Sequence, residues 1–411
     1  MANTNWKKFP KAEPDVILSL LQQSIADKRE NKVNMTAGVY KDDNLQPFLL
    51  NSVDAALHTL GQEESLWFTK KHDHKGDEAF TDTAIKLLLG NKDPAIAKLF
   101  NESKVGSIHC QSGGTGLYIA FELAKKFAST KTVYISEPSW PIHNQMARFH
   151  GFTIKTYPYY DPENNNLNFN GMLNELKGMD PDALCLLQPC GQNPTGFDPT
   201  KEQWDMIIDV LYEKKVLVLF DTAYYGFATG DLDNDAYPIR ALAARGLPFF
   251  VTQSFSKNFG LYSGRVGFVV SVCSSQLEKE QHEKHMQLVS SILYSGPSSV
   301  GSEIVKNILS SEEKFDLWVK DLKIMSGRIL NMRQMLYAEI MKYKPERDWS
   351  FLIKQNGMFA YTGLTKEQVH KLIEEYAIYL IYSGRISICG LNADNIPYVA
   401  KAFYEVTEVC N

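Results

Sequence analysis

Phe249-Phe-Val-Thr-Gln-Ser-Phe-Ser-Lys257-Asn-Phe-Gly-Leu-Tyr-Ser-Gly-Arg265-Val-Gly-Phe-Val-Val270 is two apolar runs joined by a polar, glycine-bearing hinge. Each run has the length and composition of a buried strand. The hinge carries one lysine among small hydroxyl residues, and an arginine follows eight positions later. A lysine at a strand end, screened from bulk water, can have its pKa lowered and form a Schiff base with an aldehyde. Ser254, Ser256 and Arg265 are what a phosphate on that aldehyde would need. Pyridoxal 5'-phosphate (PLP), held by Lys257, meets both conditions. A lysine in a loop after a strand is, alone, an ordinary surface feature, so the remaining motifs carry the decision.

Outward from this stretch the same texture repeats. Val133-Tyr-Ile, Ala183-Leu-Cys-Leu-Leu and Val216-Leu-Val-Leu-Phe read as further buried strands, with Phe249-Phe-Val-Thr and Val266-Gly-Phe-Val-Val. Helical patterns at Leu117–Phe127 and Lys201–Lys215 lie between them. Strands alternating with helices predict an α/β domain with a mostly parallel sheet, whose ligands gather at the carboxyl ends of the strands. Beyond about residue 310 the pattern changes to a long helix at Glu312–Met341, then Ser350-Phe-Leu-Ile and Gly357-Met-Phe-Ala-Tyr. A helix near Lys366–Tyr376 and a strand from Arg385 follow. This predicts a smaller α+β domain. A helix at Val16–Ile25 and an extended Val33–Tyr40 precede the first domain without showing which body they join.

The 411 residues suffice for two domains, with 44% hydrophobic and 22% charged residues, as in ordinary globular proteins. A net charge of −5 without a long basic run gives no nucleic-acid or membrane surface. No apolar run approaches the ~18 residues of a membrane span. Six cysteines at 110, 185, 190, 273, 389 and 410 form no C-x-x-C pair. They read as reduced thiols of a cytoplasmic enzyme, with no metal site.

Several residues fall where the strands end. Gly113-Gly114-Thr115-Gly116 precedes a helical pattern and could cradle a phosphate, or be a tight turn. Trp140, in Pro-Ser-Trp-Pro-Ile-His143, could stack on a planar ring. Asn193, in Gln-Asn-Pro-Thr-Gly, could donate to a phenolic oxygen. Asp221 ends a strand and needs a partner, which a pyridinium N–H would be. Tyr224 could reach the same phenolic oxygen, and Arg385 could grip a carboxylate bidentately.

In this order the residues resemble the aspartate aminotransferase family, the fold-type I PLP enzymes that include the aromatic amino acid aminotransferases. The S-F-S-K-N-F-G-L-Y-x-x-R-V-G and N-P-T-G segments carry the likeness, which runs over nearly the whole chain. The resemblance implies a large PLP-binding domain at residues 46–310 with a seven-stranded-type, mostly parallel sheet. Residues 1–45 and 311–411 would form the smaller domain. It implies that Lys257 bonds the cofactor and shuttles the proton, with Asp221 on the ring nitrogen and His143 behind it. Asn193 and Tyr224 would meet the phenolic oxygen, and Trp140 would stack on the ring. Gly113, Gly114, Thr115, Ser254 and Arg265 would hold the phosphate. Arg385, Asn193, Trp140 and the backbone at Gly38 would bind the substrate carboxylate. Amino acid and 2-oxo acid substrates, and a homodimer with shared active sites, are implied as well.

Three departures bear on the substrate. Dicarboxylate-specific members carry a second arginine, donated by the partner subunit, where this chain has Ser291. A family tyrosine that reaches the phosphate falls near Lys71, and the Asn-Glu before the phosphate arginine is Ser263-Gly264. A distal carboxylate buried without its arginine is costly. The expectation is therefore a ping-pong aminotransferase using an aromatic or other neutral L-amino acid and a 2-oxo acid such as 2-oxoglutarate. The alternatives are an aspartate aminotransferase with a remodelled pocket, in which Lys70, Lys71, His72 or His74 supplies the charge, and another PLP reaction such as a racemase or lyase. A non-catalytic descendant is opposed by the presence of Lys257, Asp221 and Arg385.

Overall fold

A computed structural model describes residues 15–62 and 73–409. Its centre is a seven-stranded sheet. The strands are β1 (Val105–Cys110), β2 (Thr132–Glu137), β3 (Thr153–Pro158), β4 (Leu184–Leu187), β5 (Leu217–Thr222), β6 (Phe249–Ser254) and β7 (Gly267–Val272). They lie in the order β1-β7-β6-β5-β4-β2-β3. Six run the same way, and β7 alone is antiparallel to both neighbours. Two strands escape the sequence pattern. β1 (Val-Gly-Ser-Ile-His-Cys) is diluted by Gly, Ser and His, and β3 is an edge strand with much of its length facing out.

Alternate residues of the sheet feed two apolar layers. Tyr134, Cys185, Phe220 and Val251 point into one, while Ile135, Leu186, Leu219 and Phe250 point into the other. Burial on both faces explains why these strands read as continuous apolar runs rather than as alternation. Each fully buried side chain of this size contributes about 1.5–3 kcal/mol. One face is covered by α1 (Gly113–Phe127), α2 (Pro141–Phe149) and α3 (Gln276–Tyr294). Helices at Glu78–Leu89, Phe169–Lys177, Lys201–Lys214, Leu232–Ala244 and Ser299–Leu309 pack on the other.

The Gly113-Gly114-Thr115-Gly116 segment is the first turn of α1 and not a separate turn before it. Ser112 caps the helix: its hydroxyl accepts from Thr115 N–H at 3.2 Å, and Ser112 N–H donates to Thr115 Oγ1 at 2.9 Å. This reciprocal cap satisfies two backbone donors at once.

The N-terminal segment joins the chain's C-terminal part. Val33–Asn34 pairs in parallel with Ile378–Tyr379, and Phe359–Tyr361 pairs antiparallel with Arg385–Ser387. The extended stretch expected to reach Tyr40 is a strand only at Val33–Asn34. The expected long helix is α4 (Glu312–Met341), with Trp318, Leu322, Met325, Ile329, Met332, Leu336 and Ile340 buried at helical spacing. Asp321 on that face accepts from Ser52 N–H, Ser52 Oγ and Asn51 Nδ2 at 2.8–2.9 Å, tying α4 to the start of helix Asn51–Leu60. Among the described residues no helix is long and apolar enough to cross a membrane.

Candidate active site

The carboxyl ends of β1, β2, β4, β5 and β6 meet at one cavity of about 330 Å³. The sequence residues Gly38, Gly113, Gly114, Trp140, Asn193, Asp221, Tyr224, Ser254, Lys257, Arg265 and Arg385 all line it. Most of them converge because six strands share one direction, so their ends lie on one edge of the sheet. Gly38 and Arg385 reach it from outside that sheet, Arg385 from the pair Phe359–Tyr361 and Arg385–Ser387.

Lys257 follows β6, and its amine lies 5.6 Å from the centre of the Tyr224 ring. Burial holds the amine below the usual lysine value; the Asp221 carboxylate opposes the shift and Arg265 adds to it. The next residue, Asn258, is buried and fixed twice. Its carbonyl accepts from Trp318 Nε1 at 2.8 Å, and its Nδ2 donates to the Tyr225 carbonyl at 3.0 Å. The helix α4 thereby sets the backbone that presents the lysine.

Asp221 is buried at the end of β5 and accepts from His143 Nε2 at 2.8 Å. His143 has no exposed surface, and its Nδ1 lies 2.9 Å from Ser139 Oγ. In the neutral ring Nε2–H donates to the carboxylate, which leaves Nδ1 to accept from the serine. His143 stands behind Asp221 and does not line the cavity, the position expected for it. The Tyr224 hydroxyl is pushed up by burial, so it remains a donor at any ordinary pH.

Arg385 enters a buried strand and is only 5% exposed, against the usual solvated arginine at a strand edge. Nη2 donates to the Thr36 carbonyl at 2.7 Å and Nη1 to Asn193 Oδ1 at 3.3 Å, while Nε is buried without a partner. Its guanidinium lies 4.2 Å from the Phe359 ring centre. Burial pushes it down to about 10, with Tyr224 opposing, so it stays cationic near neutrality. A buried cation with an open donor has the charge and geometry to take a carboxylate.

At the other end, α1 points its first turn at the cavity. The first N–H groups of a helix have no partner inside it, and those of Gly113 and Gly114 are free for an anion. A Cβ at Gly113 would come within 2.9 Å of Ser254 Cβ, so glycine is what keeps this cradle open. Arg265 holds a positive φ of 48° and donates Nη1 to the Tyr262 carbonyl at 3.1 Å. Thr115 is the exception among the expected phosphate ligands. Its hydroxyl is engaged by Ser112 in the helix cap and does not reach the cavity.

Five other lining residues escaped the sequence reading as site residues: Ser112, Gln188, Ala223, Phe359 and Ile17. Ser112, Gln188 and Ala223 adjoin motifs already singled out. Phe359 and Ile17 had no signal, because they come from short elements remote in sequence. Ser291 sits half-buried on α3, away from this cavity. His74 is exposed and meets the Ser295 carbonyl through Nδ1. Lys70, Lys71 and His72 lie outside the described residues. Ser263-Gly264 lies in the turn before Arg265, also outside the cavity lining.

The donors and acceptors fit PLP: a cationic anion cradle, a carboxylate opposite a ring nitrogen, a buried amine and a second buried cation. Comparisons with known proteins agree. Residues 30–403 match the family model "Aminotransferase class I and II". The cytoplasmic aspartate aminotransferase of Saccharomyces cerevisiae is 38% identical over 417 residues, covering 99% of this chain and 98% of that protein. The solved structure of the yeast cytoplasmic enzyme superposes with a TM-score of 0.94 at 36% identity, covering 99% and 100% of the two chains. An aromatic-amino-acid aminotransferase from Burkholderia pseudomallei, covalently bound to pyridoxal phosphate, gives 0.93 at 34% identity, covering 97% and 98%. With its fold and its whole length in agreement, the chain belongs to the aminotransferase class I and II family of PLP-dependent enzymes.

Proposed function

We propose that this protein transfers the amino group of an aromatic or other neutral L-amino acid to a 2-oxo acid such as 2-oxoglutarate. The carrying observation is the cation inventory of the cavity: among the described residues, Lys257, Arg265 and Arg385 are the basic side chains that line it. Each has a task in the reading, as amine, phosphate clamp and α-carboxylate clamp, so none of these three remains for a distal carboxylate. Trp140, Tyr224, Phe359 and Ile17 offer apolar and aromatic wall instead.

In this reading Gly113, Gly114, Ser254 and Arg265 would hold the cofactor's phosphate. Asp221, oriented by His143, would pair its ring nitrogen, and Trp140 would stack on the ring. Asn193 and Tyr224 would donate to the phenolic oxygen. PLP, when bound, supplies an electron sink that stabilises negative charge at the substrate's Cα. Arg385 orients the substrate through its carboxylate, with the Gly38 backbone and Asn193 beside it. Lys257 Nζ, held below the usual lysine value by burial, would take the proton from the substrate's Cα and deliver it to C4′ of the cofactor. Residues 46–310 would form the large domain, with 1–45 and 311–411 as the smaller one. The pairing of Val33–Asn34 with Ile378–Tyr379 supports that grouping.

A homodimer with shared sites is part of the proposal. Leu288 and Ile292 flank Ser291 on α3, one helical turn apart, and are 56% and 75% exposed. An apolar pair so exposed calls for cover. A cytoplasmic location is proposed from the five described cysteines, all buried and unpaired, and from the cytoplasmic yeast relative.

The second reading is an aspartate aminotransferase with a remodelled distal pocket, favoured by the 38% identity to the yeast enzyme. A panel of L-amino acid donors against 2-oxoglutarate, pyruvate and oxaloacetate separates the two. Aromatic or neutral donors should have the highest kcat/KM. Aspartate as far the best donor would establish the second reading. Donor added without acceptor should convert the cofactor's absorption to its amine form; no conversion would exclude transamination.

A further inference from the structure

The loop between β4 and helix Lys201–Lys214 carries Asn193, and its neighbours are wired in an unusual way. Gln192 is 1% exposed and uses both ends of its amide. Nε2 donates to Ser136 Oγ at 3.2 Å and to the Pro138 carbonyl at 3.0 Å, at the end of β2 beside Trp140. Oε1 accepts from Thr195 N–H at 2.9 Å and Thr195 Oγ1 at 2.6 Å. The one side chain therefore ties the loop of Trp140 to the loop of Asn193.

Asp198 clamps the same loop from its other end. Its carboxylate oxygens accept from two successive backbone groups, Gly191 N–H at 2.8 Å and Gln192 N–H at 3.1 Å. Gly191 takes a positive φ of 59° there, and a Cβ at Gly357 would come within 3.2 Å of its Cα. Beyond Gly357 comes Phe359, whose ring lies under Arg385. The fully buried Arg333 donates to the carbonyls of Leu352, Asn356, Gly357 and Phe359, which fixes that strand. Burial pushes Asp198 up to about 6, with the Gly191 and Gln192 N–H groups, Asn356 and Arg333 opposing. Burying this carboxyl is costly, and the bonds to the loop recover part of that cost.

We propose that Gln192 and Asp198 are positioning residues that fix Asn193 against Arg385, so that the loop is a working part of the carboxylate clamp. Neither side chain lines the cavity; both act through the backbone on either side of Asn193. Asn193 Oδ1 accepts from Arg385 Nη1 at 3.3 Å. Gln188 holds the Asn193 backbone directly, its Oε1 accepting from Asn193 N–H at 3.0 Å and its Nε2 donating to the Asn193 carbonyl at 3.3 Å. Gln192 and Asp198 brace the loop on either side of that anchor. The inference rests on the assignment of Arg385 as the carboxylate clamp.

The test uses the holoenzyme and four variants: Asp198→Asn, Asp198→Ala, Gln192→Leu and, as a control, Arg385→Lys. KM and kcat are measured with the best donor, and binding of the unreactive carboxylate 3-phenylpropanoate is measured by calorimetry. Cofactor content and Tm are followed in each. Gln192→Leu and Asp198→Asn should raise KM and the Kd of the carboxylate about tenfold, a change of about 1.4 kcal/mol. Their kcat should stay within about threefold and their cofactor content near the wild type. Unchanged KM and Kd in both, with Arg385→Lys strongly impaired, would overturn the positioning role while leaving the carboxylate clamp intact. An Arg385→Lys protein with unchanged Kd would instead remove the assignment beneath it. If Asp198→Ala fails to fold, Gln192→Leu and Asp198→Asn decide. A fall in cofactor content or Tm that tracks the KM change would also overturn the proposal, since a structural role alone would then account for it.

Discussion

His143 Nε2 stands 2.8 Å from Asp221 Oδ2, both side chains are buried, and Ser139 Oγ closes the chain at 2.9 Å on the other ring nitrogen. The carboxylate is thus held on one side and presented to the cavity on the other. Asp221→Asn keeps the shape and removes the charge. Its kcat/KM should fall about 10³-fold, the ~4 kcal/mol typical of breaking a buried charge pair. His143→Ala leaves the charge in place and removes one hydrogen bond, so about tenfold is expected. Steady-state kinetics with cofactor quantitation checks both, and equal losses would mean that His143 does more than orient.

Lys257→Ala removes the proton carrier as well as the covalent anchor. Turnover should drop by at least ~10⁴-fold, the upper range for a positioned acid–base group. The absorption of the lysine-bound cofactor should vanish while the fold, read by circular dichroism, persists. Turnover near the wild-type level would dismiss the role given to this lysine.

Phe359 supports Arg385 through its ring face, 4.2 Å from the guanidinium. Phe359→Leu keeps the apolar bulk and loses the cation–π contact, worth about 0.5–2 kcal/mol. KM for every donor should rise by about threefold to tenfold, without regard to the donor's side chain. A rise confined to aromatic donors would show that Phe359 contacts the substrate side chain instead.

Ser291→Arg puts a guanidinium at the position where dicarboxylate-specific relatives carry one. Assayed with aspartate and glutamate, it should raise kcat/KM at least tenfold relative to the neutral donors, the scale of one charge-assisted bidentate contact. No gain would mean that the distal pocket is built from other residues.

Asp235 is 1% exposed, and burial, with the Asp198 charge adding, pushes its carboxyl up to about 7; Thr229 opposes. A carboxyl whose folded pKa lies above its unfolded value binds protons more tightly when folded. Its stabilising contribution is full below about 4 and is lost as pH rises through about 7. Asp235→Asn cannot ionise. It should therefore be more stable than the wild type at pH 8, by of the order of 1 kcal/mol or more, and its gain should be clearly smaller at pH 5. Thermal unfolding at the two pH values reads this directly.

Much of the site was legible because each of its parts is short and local. The Lys257 hinge, Asp221 after its apolar strand, Asn193 in Asn-Pro-Thr-Gly and Arg385 each announce themselves within a few residues. Burial on both faces also made β2, β4, β5, β6 and β7 readable as apolar runs. β1 and β3 were not, since polar residues and an exposed edge erase that signal. Thr115 has a second engagement that the letters alone hide. The same Gly-Gly-Thr-Gly letters serve a phosphate cradle and a helix cap, and only the cap geometry shows that Ser112 takes the threonine hydroxyl.

From the chain alone came the α/β alternation and the lysine with its carboxylate and arginine partners. Those depend on residue type and near-neighbour spacing, which the linear order preserves. Tertiary structure alone decided that β7 runs against its neighbours, that Phe359 and Ile17 reach the cavity, and that Gln192 and Asp198 brace Asn193. Each of those depends on contacts between segments far apart in sequence. Packing and hydrogen-bond satisfaction select such contacts, and no local pattern encodes them.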